Sequence, residues 1–192
     1  MQEMKIQVVQ EKVDMAAQGK FRKDLARGVK AELYVAKRLQ KEGFEVVRNI
    51  SNKLSELQKW DLRLKKNGVI ETIEVKNDIM SMLTGNIGLE IGQDASNKPS
   101  CLLKTKADFW CHIFYAKEEA FISIMDTALL RQKVLTAEFY ADSCFRNKGR
   151  FIANVGDNNA DIIILSIDTY LDIFEGTFWC LSLQDAIKEG FW

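Results

Sequence analysis

Asp61, Glu74 and Lys76 are the residues of this 192-residue chain whose types and spacing point to chemistry. Twelve residues separate Asp61 from Glu74, and Glu74-Val75-Lys76 is a Glu-x-Lys. Two carboxylates brought together suit a hard divalent ion such as Mg²⁺, which keeps waters and takes phosphate oxygens as further ligands. Such an ion activates a water and offsets charge building on a phosphate. An adjacent ammonium orients that water or offsets charge in the transition state. The competing reading is plain. Alternating charge along an exposed strand is ordinary cross-strand pairing.

The elements that must position the trio lie in the stretch from Trp60 to Asp78. It reads as strand, turn, strand, because Asn67-Gly68 suits the two positive-φ positions of a type I′ turn. On the second arm Ile70, Thr72, Glu74 and Lys76 share one face, and Val69, Glu71, Ile73 and Val75 share the other. The hairpin carries Asp61 back towards the Glu74 end.

Residues 20–42, closed by Gly43, predict a helix. Its apolar positions Leu25, Val29, Ala36 and Leu39, with Leu33 beside them, form a stripe that passes through Glu32. A glutamate there is either an edge residue paired with a Lys or Arg, or a carboxylate aimed at the Asp61–Glu74 site. Residues 3–17 predict a weakly amphipathic helical arm, broken at Gln18-Gly19. Residues 44–48 predict a strand and residues 49–59 a polar loop in which Ser51, Asn52 and Lys53 could meet phosphate. Residues 79–84 predict a mobile connection and residues 85–92 a strand whose bare face carries Glu90 between Gly88 and Gly92. Strands follow at 109–115, 120–125 and 161–167. Helices begin near Asp126, Asp168 and Ser182. Residues 142–160 predict a turn-rich segment with a basic cluster at Arg146, Lys148 and Arg150. Trp179, Phe191 and Trp192 predict an aromatic end used for packing or as an oligomer surface.

Composition bounds the rest. The chain is long enough for one domain, 1–192, with a real core and with residues 1–18 as an arm. No apolar run is long enough to span a membrane, and the charged start lacks a signal-peptide stretch. Cys101, Cys111, Cys144 and Cys180 show no CxxC spacing, and His112 is the only histidine, so a zinc site and a disulfide framework are disfavoured. A cytoplasmic location is expected. His112, mid-strand among aromatics, predicts a packed residue. Net charge is zero, but residues 1–110 hold 20 basic and 15 acidic side chains, while residues 111–192 hold 7 and 12. The half with the candidate site is the one a phosphate backbone would approach. No GxxxxGK[ST] motif occurs, which disfavours a nucleotide-driven enzyme.

Asp61, the hairpin and Glu74-Val75-Lys76 resemble the PD-(D/E)XK nuclease superfamily, with Trp60 where a proline is common. Thr84-Gly85-Asn86 followed by Glu90, then Pro99-Ser100, then Thr105 to Trp110, is similar to the segment after the Glu-x-Lys in phage and bacterial members, Holliday-junction-resolvase-like proteins among them. The resemblance spans about half the chain in family order. It implies an α/β domain with a mixed central sheet flanked by helices, a restriction-endonuclease-like core. It implies a metal-dependent deoxyribonuclease using Mg²⁺ or Mn²⁺, with Asp61, Glu74 and the Val75 carbonyl on the metal and Glu90 as a further candidate. Lys76 would position the attacking water, and Glu32 would support the site. Arg27, Lys30, Lys98, Ser100, Lys104, Thr105 and Lys106 would contact DNA. A homodimer is expected. Small size favours structure selection, as in repair or recombination, over sequence recognition. The alternative is a nucleic-acid-binding or assembly protein that keeps the nuclease fold without turnover.

Overall fold

The computed structural model describes residues 20–50, 59–93, 98–135, 149–155 and 160–192. The proposed N-terminal arm, the loop residues Ser51, Asn52 and Lys53, and Arg146 and Lys148 lie outside them.

Helix α1 (Lys20–Lys41) opens the fold and ends where Gly43 takes φ 88°. β1 (Glu45–Arg48), β2 (Leu62–Lys66) and β3 (Val69–Asp78) follow as an antiparallel run. Asn67 and Gly68, at φ 52° and 80°, make the expected tight turn between β2 and β3. β6 (Phe109–Ala116) then pairs parallel to β3, and β7 (Glu119–Asp126) and β10 (Thr177–Ser182) extend the sheet antiparallel. The result is a six-stranded mixed sheet in the order β1-β2-β3-β6-β7-β10.

A second sheet has the order β5-β4-β9-β8, built from β4 (Asn86–Gln93), β5 (Lys98–Pro99), β8 (Gly149–Val155) and β9 (Ala160–Ser166). Short helices α2 (Ser81–Thr84) and α3 (Cys101–Lys104) flank β4 and β5. Helix α4 (Thr127–Leu135) is capped by the Asp126 carboxylate, which accepts from Leu129 N at 2.7 Å. Helices α5 (Ile167–Ile173) and α6 (Leu183–Glu189) are capped by Ser166 and Ser182. This is a mixed α/β fold with a mixed sheet flanked by helices, as the resemblance implies.

Two cores sandwich the larger sheet. On one face Ile73, Val75, Cys111, Ile113 and Ile122 pack against Ala31, Val35 and Leu39 of α1 and Phe191 near the C-terminus. On the other, Trp110, Phe114 and Met125 meet Ile87 and Leu89 of β4, Ile163 and Leu165 of β9, and Tyr170 of α5. Alternation along β3 and β6 therefore sends Ile73 and Val75 to the helical side. It sends Glu74, Lys76 and the matched Trp110 and His112 to the side of the second sheet.

Several expectations change. The buried stripe of α1 runs through Ala31, Val35 and Leu39, with Val29 and Ala36 beside it, while Leu25 is 46% exposed. Residues 79–84 are not a loose connection. Ser81 is buried, donates to Asp78 O at 2.6 Å and accepts from Tyr115 N at 2.8 Å. Residues 149–155 of the turn-rich segment form β8, and Trp179 lies in a strand that the aromatic reading missed. Phe191 is buried and Trp192 rings against Tyr115, so that end packs on the core.

Two glycines give opposite predictions. A Cβ on Gly176 would sit 2.0 Å from Ile124 O, while one on Gly28, inside α1, meets nothing within 4 Å. Gly176→Ala is expected to cost more than about 2 kcal/mol through backbone displacement. Gly28→Ala should gain roughly 0.5–1 kcal/mol of helix stability. Denaturant unfolding of both variants checks the pair.

Candidate active site

The hairpin brings Asp61, Glu74 and Lys76 together. Asp61 sits just before β2. Its N–H donates to Ile73 O at 2.8 Å, and its Oδ2 accepts from Val75 N at 2.7 Å. Its carboxylate is thereby fixed beside the Glu-x-Lys. Glu74, 8% exposed, accepts from Lys76 Nζ at 2.6 Å on Oε1 and from Thr105 Oγ1 at 3.2 Å on Oε2. Lys76 is also 5.9 Å from the centroid of the Trp110 ring.

The electrostatics show how closely these groups converge. Removal from water, then the charges of Glu74 and Glu32, push the Asp61 carboxyl up to about 8, against the opposing effects of Lys76 and the Val75 N–H. Removal from water works against the Lys76 ammonium. Cys101, Glu74 and Asp61, with the hydrogen bond to Glu74, outweigh it and hold the group above the ordinary lysine range. Lys76 therefore stays charged, and Asp61 holds a proton at neutral pH unless a cation displaces it.

Glu32 reaches the site from α1, as a charge felt by Asp61. Its side chain is paired as an edge residue would be, since Arg48 of β1 grips Glu32 Oε2 through Nε at 2.9 Å and Nη2 at 2.5 Å. Glu90 is placed differently. It stands on β4, in the second sheet, and receives a short hydrogen bond from Ser100 Oγ. With Lys76, Asp78, Cys101, Trp110 and His112 it lines a cleft of about 480 Å³ between the two sheets.

Two expected DNA contacts need correction. Thr105 and Ser100 are 2% and 7% exposed, so neither offers its hydroxyl to a backbone. Thr105 instead braces Glu74 and accepts from Ala107 N at 3.2 Å. Lys104 and Lys106, on either side of it, are exposed, as is Lys30. Arg27 is partly exposed and pairs with Asp24 at 3.4 Å. The Lys98 side chain lies outside the described residues.

Arg131 escaped the sequence reading. Its guanidinium donates to Leu102 O and Thr105 O, each at 2.7 Å, and so fixes the turn that aims Thr105 at Glu74. Nothing local in the sequence marks it, because its partners lie in a different element. Asp108 braces the start of β6 against β3: its Oδ2 accepts from Thr72 N and Oγ1, both at 2.8 Å.

The donor set at Asp61 and Glu74 is all oxygen, and once a cation displaces the Asp61 proton it carries more negative charge than Lys76 neutralises, which suits Mg²⁺ or Mn²⁺. Among the described residues no three His, Cys, Asp or Glu side chains stand close enough to form a ready cage. The protein would thus supply two carboxylates, leaving the remaining positions to water and substrate.

No known protein family and no curated protein matches the sequence. Among solved structures, that of a bacterial homing endonuclease is similar at 20% identity and a TM-score of 0.39, covering 54% of this chain and 68% of that one. At that level neither its activity nor its residues transfer to this chain.

The raised pKa of Asp61 has a measurable consequence. Its folded value, about 8, lies above the ordinary 3.8. The native state therefore keeps a proton that the unfolded chain loses above 3.8. The stability this contributes is complete below 3.8 and is lost as pH rises to about 8. With EDTA present, Asp61→Asn should gain on wild type across that window, by at least about 1 kcal/mol or roughly 2–4 °C in Tm. A difference in Tm that does not change between pH 4 and pH 8.5 would contradict this.

Proposed function

We propose that this protein is a divalent-metal-dependent deoxyribonuclease, acting on DNA structures of the repair or recombination type. The observation that carries the reading is the Lys76–Glu74 contact of 2.6 Å beside Asp61, a carboxyl held above its ordinary range by burial and by Glu74. A purely structural sheet rim has no reason to crowd two carboxylates and a lysine at this cost.

Asp61 and Glu74 would hold the ion, with the Val75 carbonyl as a third protein ligand. The bound ion would lower the pKa of a water and polarise the phosphate. Lys76 would hold the attacking water or a phosphate oxygen. Thr105, itself held by Arg131, would keep Glu74 aimed at the site. Glu32, neutralised by Arg48, supports the site by bounding the Asp61 side. Lys104 and Lys106 lie exposed beside Thr105 and fit the DNA backbone, which accepts lysines as point charges. Symmetric cutting of a two-stranded substrate would need a homodimer.

A second reading keeps the fold and loses turnover. The closed Lys76–Glu74 pair and the lack of a three-ligand cluster among the described residues favour it. One experiment separates the two. Supercoiled, linear and four-way-junction DNA are incubated with Mg²⁺, Mn²⁺ or EDTA, using wild type, Asp61→Ala and Lys76→Ala. The nuclease reading expects metal-dependent cutting, fastest on the junction, that falls about 10²–10³-fold in both variants. Binding without cutting under every metal would establish the second reading. Equal cutting by all three proteins would remove these residues from the chemistry.

A further inference from the structure

His112 is packed among aromatics as the sequence predicts, its ring 5.8 Å from that of Tyr170 and 6.3 Å from that of Trp110, and it holds no place in the proposed metal site. It is 1% exposed and faces Lys76 across the β3–β6 register. Trp110 Nε1–H donates to its Nδ1 at 3.2 Å, so Nδ1 carries no proton and the neutral ring carries its hydrogen on Nε2. Nε2 lies 3.7 Å from Asp78 Oδ2, too long for a hydrogen bond, and among the described residues it is buried with no hydrogen-bond partner. Asp78 Oδ2 in turn accepts from Gly88 N of β4 at 2.9 Å. Removal from water works against the Asp78 carboxylate, but His112 and the Gly88 and Ser81 donors lower its pKa overall, so it stays ionised.

One chain of contacts therefore runs from Lys76 to the Trp110 ring and on to His112, whose Nε2 faces Asp78 without a hydrogen bond. A buried indole N–H needs a partner, and here the partner's identity fixes the ring's rotation. That rotation decides whether the ring face or its edge meets the ammonium, and only the face attracts it.

We propose that His112 is a positioning residue: by accepting the Trp110 indole N–H it locks the Trp110 ring face against Lys76. The assignment rests on the nuclease reading for its consequence, since Lys76 is where the effect would be felt in catalysis. His112 does not touch substrate. Its ring atoms are covered, and it acts through Trp110.

Two substitutions test the role. His112→Asn keeps an acceptor near the Nδ1 position. His112→Phe keeps a ring and drops that acceptor. Trp110→Phe removes the indole donor and gives a second route to the same loss should His112→Phe fold poorly. The first readout is the NMR signal of the Lys76 ammonium and its neighbouring methylene, identified with Lys76→Arg. Wild type and His112→Asn should coincide, while His112→Phe and Trp110→Phe should share a displaced signal. Identical Lys76 signals in all four proteins, or a His112→Asn signal displaced like His112→Phe, would overturn the proposal.

The second readout is cleavage. His112→Phe should lose about tenfold or more in kcat with KM within about twofold, and His112→Asn should restore most of it. A rise in KM at unchanged kcat would also overturn the proposal. If wild type does not cut at all, the nuclease reading fails while the Lys76 signals still decide the role of His112.

Discussion

Like charge held close in a half-dry place is the constraint on which this structure turns. Asp61 and Glu74 face the same ammonium, with Glu32 adding its field from α1. Left to themselves, two carboxylates at this separation would move apart or into water. They stay because each is held by something rigid. Asp61 is fixed by a backbone N–H of the neighbouring strand. Glu74 is fixed by a threonine that an arginine clamps from helix α4. The order of strands in the mixed sheet makes those partners available.

The second sheet gives the trio a setting. Because β3 and β6 run parallel and in step, Glu74 lies level with Trp110 and Lys76 with His112. All four look towards β4, which supplies Glu90 and the Gly88 N–H. The cleft between the sheets is lined by apolar residues such as Ile87, Trp110, Ile162 and Ile164 and by polar ones such as Lys76, Asp78, Glu90 and His112, a mixture that suits a binding site. The apolar walls also lower the local dielectric, which strengthens each charge contact within.

How much of this was legible in the sequence follows from range. The hairpin was legible because Asn67-Gly68 and the alternation around it are local signals. So were the capped helix starts at Asp126 and Ser182 and the approach of Glu32 to the site. The second sheet was not, since β4 pairs with β9 far along the chain and no local pattern announces a partner. Thr105 was misread for a related reason. Its neighbours Lys104 and Lys106 are exposed, but the end of a four-residue helix turns the hydroxyl inward. Arg48 and Arg131 look like any surface arginine until their partners from other elements are seen. β10 was hidden by composition, its aromatics suggesting packing before alternation.

On the nuclease reading, Asp61 and Glu74 are held from water to receive a divalent cation. Anomalous diffraction from crystals grown with Mn²⁺ tests it most directly. The account predicts one strong peak between the Asp61 and Glu74 carboxylates, with Lys76 Nζ drawn off Glu74 Oε1, and no such peak for Asp61→Asn. An undisturbed Lys76–Glu74 pair with no peak beside it, at Mn²⁺ concentrations that saturate binding in solution, would contradict the account.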